Sequence, residues 1–129
     1  MSSKGKGTRL ERELFHMFYQ TGRYMPLRVA GSGSTTIPSV DLLIGGQGKY
    51  FAIECKSIKK GRKYIEKARI NELLEFSKKF GALPLLAVRF NNQPWYFLKI
   101  EDLEKSDLNY IVYLELVKKK GISFEKLIE

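Results

Sequence analysis

The stretch Lys49-Tyr50-Phe51-Ala52-Ile53-Glu54-Cys55-Lys56-Ser57 decides how the rest of this chain is read. Its apolar residues alternate, the period of an extended strand whose successive side chains point to opposite faces. Phe51, Ile53 and Cys55 are expected to turn into the core, and Tyr50, Ala52, Glu54 and Lys56 to turn the other way. Glu54 and Lys56 then stand side by side, one carboxylate and one ammonium. Just upstream, Gly45-Gly46-Gln47-Gly48 has the composition of a hairpin turn. A short strand from Val40 to Ile44 would pair back on 49–57 and bring Asp41, the only acid on it, close to Glu54.

Working outward, residues 8–21 read as a helix. Leu10, Leu14, Phe15, Met17 and Phe18 repeat with the helical period, Thr8 and Glu11 form a capping-box pattern, and Gly22 is the stop. Residues 25–30 read as extended, with Pro26 favouring an edge. A Gly/Ser loop follows at 31–36 and a basic loop at 58–63. A second helix over about 65–80 buries Ile70, Leu73, Leu74, Phe76 and Phe80, and Gly81 ends it. Leu83 to Phe90 is a near-continuous apolar run, the mark of a central strand. After a turn at 91–94 come a strand at 95–100, an extended segment near 110–117 and a short helix, Ser123 to Ile128. This order predicts an α/β fold, a mixed central sheet flanked by helices. It forms one domain over 1–129, with 1–7 expected to be a flexible tip.

Composition narrows the function. The chain has 129 residues, 43% apolar and 29% charged, the balance of a soluble globular domain. No stretch reaches the roughly 20 apolar residues of a membrane helix, and no apolar run follows Met1 to Lys6 as a signal peptide would require. A lone Cys55 cannot form an internal disulfide. The expected location is intracellular, in cytoplasm or nucleoid, or in a host cell for a viral protein. The net charge of +9 calls for an anionic partner. It is clustered: Lys4, Lys6, Arg9 and Arg12 near the start, then Lys56, Lys59, Lys60, Arg62, Lys63, Lys67 and Arg69 against the single acid Glu66. Solvated surface is the usual fate of such runs, but this imbalance favours nucleic acid over a membrane surface.

Two carboxylates and a lysine amid basic loops suit phosphodiester hydrolysis. Mg²⁺ is held by one or two carboxylates and by oxygens of substrate and water. It polarises the phosphate and acidifies a bound water, and a neighbouring lysine can orient that water or offset developing charge. A lone Glu-x-Lys is weak in so charged a chain; the upstream Asp41 and the apolar strand strengthen it. Other features have plainer readings. Cys55 is a small core residue rather than a nucleophile, His16 a helix residue without a partner, and Trp95, Tyr96 and Phe97 belong to strand packing or a subunit interface.

Asp41 with Glu54-Cys55-Lys56 resembles the D…(D/E)-x-K core of the restriction-endonuclease-like nucleases. The wider pattern is similar to the archaeal Holliday junction resolvases of the Hjc type. It comprises Gly7-Thr8-Arg9-Leu10-Glu11-Arg12-Glu13-Leu14, Arg28-Val29-Ala30-Gly31-Ser32-Gly33-Ser34, Ala52-Ile53-Glu54-Cys55-Lys56 and Leu74-Glu75-Phe76-Ser77-Lys78-Lys79-Phe80-Gly81. The resemblance implies Asp41 and Glu54 as metal ligands, the Cys55 backbone carbonyl as a further oxygen and Lys56 as the catalytic lysine. Glu11 is implied as an additional acid at the metal or its water, and Ser32 as a loop serine with a catalytic part. Arg12 would support the site or contact phosphate. Lys4, Lys6, Arg9, Arg28, Lys59, Lys60, Arg62 and Lys63 complete the expected DNA-binding set. One departure is visible: Val40, not a proline, precedes Asp41, and Pro38 stands three residues away.

The expected activity is paired, symmetric, Mg²⁺-dependent cutting of four-way DNA junctions in recombination and repair, with Mn²⁺ able to substitute. The expected partners are the junction and a second copy of the chain, since two related cuts need two sites; no membrane and no small-molecule cofactor is expected. The alternatives are a duplex or flap nuclease on the same fold, or a DNA-binding protein without catalysis.

Overall fold

The computed structural model describes residues 3–29 and 37–129, with side chains from residue 9 onward. Among them, six strands form one mixed sheet in the order β1 (Met25–Arg28), β2 (Leu42–Gly46), β3 (Lys49–Ile58), β5 (Leu83–Phe90), β6 (Trp95–Lys99) and β9 (Ile122–Ser123). The hairpin expected around 45–48 is present and antiparallel, with Leu42 opposite Ile53 and Gly46 opposite Lys49. Gly46 cannot be replaced cheaply there: its φ is +155°, and a Cβ would lie 2.3 Å from the Arg23 carbonyl oxygen. Pro26 does lie on an edge strand, where its missing N–H is harmless.

β3 and β5 run parallel, Phe51 opposite Leu83 through Ile58 opposite Phe90. A parallel pair needs a long crossover, supplied here by β4 (Arg62–Glu66) and α2 (Lys67–Phe80). Gly81 ends α2 as expected, at φ 87°, its N–H bonded to the Ser77 carbonyl. A 3₁₀ turn at Ile100–Asp102 leads to β7 (Glu104–Lys105) and β8 (Asn109–Tyr113), which with β4 form a second, three-stranded sheet in the order β4-β8-β7.

Apolar material covers both faces of the main sheet. On one face α1 (Ser3–Gln20) and α4 (Phe124–Leu127) bring Leu14, Phe18 and Leu127 onto Leu42, Ile44, Phe51, Ile53, Leu85, Ala87 and Phe97. On the other, α2, the small sheet and α3 (Leu114–Lys120) pack Ile70, Leu73, Ile65, Val112 and Val117 onto Ala52, Leu86, Val88 and Leu98. The expectation placed Phe51, Ile53 and Cys55 in the core and turned Ala52 and Glu54 the other way, and that second face proves to be covered as well. Ala52 is fully buried and Glu54 is 3% exposed, because helices lie on both sides.

Three boundaries also differ from the sequence reading. α1 begins at Ser3 rather than at a Thr8 cap. Residues 62–66, expected as basic loop and helix start, form a strand whose ladder bonds to β8 override the local helical pattern. The segment after Tyr113 is helix α3 rather than a continued strand, and its apolar Val117 is buried on the sheet.

Candidate active site

The site lies where β2 and β3 part. Their ladder ends at Leu42 opposite Ile53, with one more bond from the Asp41 N–H to the Ile53 carbonyl. Beyond it β3 continues to Ile58 with β5 on one side only. In the fork the Cys55 N–H donates to Asp41 Oδ2 at 2.9 Å, so a side chain takes the place of the missing strand. The N–H and C=O of a strand residue point to the same edge, so the Cys55 carbonyl faces the same gap as Asp41.

Glu54 projects from the opposite face of β3 to Cys55, toward α2. Arg69 of α2 holds it with two parallel bonds, Nε to Oε2 and Nη2 to Oε1, each 2.8 Å. The same Nη2 stands 3.6 Å from Asp41 Oδ1, and Nη1 lies 3.3 Å from Glu72 Oε2. One guanidinium nitrogen therefore lies between the two carboxylates. Lys56 Nζ is 3.8 Å from Glu54 Oε2, as the shared strand face required. An isolated carboxylate buried this deeply would be expensive, and the bidentate arginine offsets that.

Burial pushes the Glu54 carboxyl above its ordinary value; the Arg69 hydrogen bonds pull it back, and the Asp41 charge adds to the rise. Glu11 on α1 is also raised, by burial first and then by Asp41, against the pull of Arg28. Its carboxylate pairs with Arg28 Nη2 at 3.5 Å. The Cys55 thiol is pushed well up by burial and by Asp41, Glu11 and Glu54, which keeps it protonated and without a nucleophile's role.

The structure thus brings Asp41, Glu54, Lys56 and the Cys55 backbone to one place, with Glu11 near enough to feel Asp41 but turned to Arg28. Among the described residues no group of three or more His, Cys, Asp or Glu side chains is arranged as a metal cage. Two carboxylates beside a backbone carbonyl still suit a hard cation that keeps several waters, and the arginine nitrogen between them marks a place where positive charge is stabilised. Ser32 lies outside the described residues, as do the Lys4 and Lys6 side chains.

Arg9 and Arg12 are exposed on α1, Lys59 and Lys60 on the turn after β3, and Lys63 is half-buried on β4. Arg62 stacks over the Tyr113 ring at 4.4 Å and pairs with Glu104 at 3.7 Å. Trp95 and Phe97 are core residues, and the Trp95 Nε1 donates to Glu13 of α1 at 2.8 Å. Sequence reasoning counted Arg69 among the basic run and missed its part in the site. Its place near the start of a helix carried no local signal for a contact 15 residues back.

A mixed sheet with an acid pair and a lysine at the fork of two strands is the architecture of a restriction-endonuclease-like nuclease. The family model described as "Archaeal holliday junction resolvase (hjc)" matches residues 2–129, and the chain belongs to that family. It is 34% identical to a crossover junction endodeoxyribonuclease Hjc of Archaeoglobus fulgidus, over 83% of this chain and 78% of that one. It is 35% identical to the protein of the same name from Methanocaldococcus jannaschii, over 95% of this chain and 86% of that one. The solved structure of Archaeoglobus fulgidus Hjc, a Holliday junction resolvase, superposes with a TM-score of 0.89 at 28% identity, covering 95% of this chain and all of that one.

Proposed function

We propose that this chain is a Mg²⁺-dependent endonuclease that resolves four-way DNA junctions as a homodimer. The observation that carries the chemistry is the pair Asp41 and Glu54, whose carboxylates approach one cationic nitrogen at 3.6 and 2.8 Å while Lys56 stands alongside. Asp41 Oδ1, Glu54 and the Cys55 carbonyl would hold Mg²⁺, with Mn²⁺ able to replace it. Such an ion would supply Lewis-acid polarisation of the scissile phosphate and a more acidic water. Lys56 places its ammonium next to that phosphate, where it orients the attacking water or offsets charge on the phosphate oxygens. Glu11, held by Arg28 at 3.5 Å, would place an additional acid at the edge of the site, where it could position water. Arg9, Arg12, Lys59, Lys60, Arg62 and Lys63 neutralise backbone phosphates and give affinity without reading sequence.

The dimer reading rests on a surface as well as on the need for two cuts. Tyr50 (53% exposed) meets Phe80 (48% exposed) edge-on, and Phe80 stacks on Phe76 at 5.5 Å. Ile37 and Pro38 lie on the same groove, rimmed by the Glu75–Lys79 ion pair. A partly exposed aromatic cluster rimmed by one charge of each sign suits an isologous contact, in which each copy would set the same patch against the other's.

The test incubates the protein with an immobile four-way junction, linear duplex and flap DNA, in Mg²⁺ and in EDTA, beside Asp41→Asn. Symmetric cuts confined to the junction, lost in EDTA and in the variant, are expected. Equal cutting of duplex would overturn the junction reading. Tight binding without cleavage in Mg²⁺ or Mn²⁺ would overturn the enzyme reading.

A further inference from the structure

We propose that Arg69 is a built-in counter-ion for the carboxylate pair: it occupies the cation position until a divalent metal enters, and metal binding requires it to swing out. The inference rests on the metal reading above and adds a residue that sets the affinity of that site.

The geometry carries it. Nη2 of Arg69 lies 2.8 Å from Glu54 Oε1 and 3.6 Å from Asp41 Oδ1, and Nε takes the second Glu54 oxygen at 2.8 Å. Those are the oxygens a metal would need at about 2.0–2.1 Å. A guanidinium and a divalent ion cannot share them, by space or by charge. The exchange has a ready landing place, because Nη1 already lies 3.3 Å from Glu72, a carboxylate on the same helix with about half of its side chain exposed. Rotation of the side chain about its stem trades the Glu54 pair for Glu72 or for an arriving DNA phosphate, so the displaced charge is not stranded. Without Arg69, the metal-free protein would hold the Glu54 carboxylate facing Asp41 with Lys56, at 3.8 Å, as its remaining cationic neighbour among the described residues. The arginine thus stabilises the empty site and, by the same contacts, competes with the metal.

The experiment titrates Mn²⁺ alone into the full-length, metal-free protein without DNA and follows the free-ion signal by electron paramagnetic resonance. Wild type, Arg69→Gln, Arg69→Lys and Asp41→Asn are compared, each also melted in EDTA and in Mn²⁺. Removal of a bidentate charged pair is expected to tighten Mn²⁺ binding by about tenfold or more in Arg69→Gln. In the same variant the EDTA melting temperature should fall and the rise on adding Mn²⁺ should grow. If Arg69→Gln does not fold, Arg69→Lys carries the comparison: one ammonium cannot span both Glu54 oxygens, so binding several-fold tighter than wild type is expected. Equal or weaker Mn²⁺ binding in the folded Arg69 variants, with binding abolished in Asp41→Asn, overturns the counter-ion role and leaves the metal reading standing. Absence of Mn²⁺ binding in wild type and all variants overturns both.

Discussion

Asp41 accepts the Cys55 backbone N–H at 2.9 Å, so the carboxylate at the end of one strand completes the edge of the next. That bond makes Asp41 structural as well as functional, and the two roles separate by substitution. Asp41→Asn keeps an acceptor oxygen for Cys55 and is expected to fold while losing metal-dependent cleavage. Asp41→Ala leaves the N–H without its partner and is expected to lose a further ~1–3 kcal/mol of stability. Urea unfolding of the two variants, side by side, checks the difference; equal midpoints would show that the bond contributes nothing.

Lys56 lies 3.8 Å from Glu54 with 28% of its side chain exposed, close to the acids yet open to substrate. Lys56→Met is expected to lower the cleavage rate by about 10²–10⁴ at saturating metal. Junction binding in EDTA should change by far less, since one phosphate contact among many is lost. Single-turnover cleavage and gel-shift assays on the same preparation separate the two effects.

The buried Glu54 carboxyl titrates above its ordinary value of 4.5, raised by burial first and by Asp41 in addition. The folded state then holds this proton more tightly than the unfolded chain does. Stability from the protonated group is fully present below the unfolded value and is lost as pH rises through the raised folded value. Metal-free wild type should therefore lose stability relative to Glu54→Gln over that window and run parallel to it above. Stabilisation by Mg²⁺ has the opposite sign, growing with pH as the carboxylate becomes free to bind. Thermal melts across the acidic range, with and without Mg²⁺, report both slopes.

Phe80 presents its ring to solvent between Tyr50 and Phe76. Phe80→Asp places a charge in the middle of the proposed isologous contact and should give a monomer in analytical ultracentrifugation, with the fold preserved by circular dichroism. Cleavage by the variant should yield unpaired nicks in place of symmetric ones. A wild type that sediments as a monomer even with junction bound would sink the dimer mechanism.

Much of this was legible along the chain because strand and helix periods are local. The alternation through 49–57 placed Glu54 and Lys56 on one face, Gly81 marked the end of α2, and Pro26 marked an edge. The strand at 62–66 was not legible, since it exists only through pairing with 109–113 far along the chain. Nor was the start of α1, where Thr8 offered a cap that the helix runs past.

For the site, the sequence by itself determined which groups are present: two carboxylates, a lysine one strand step from Glu54, and a large basic surplus. Only the tertiary structure decided that β3 is covered on both faces, so that Glu54 is buried rather than displayed, and that Arg69 lodges between Glu54 and Asp41. The reason is physical. Residue spacing along a strand fixes the direction of each side chain, whereas the element that packs over it, and the charge that element brings, depend on contacts between segments distant in the chain.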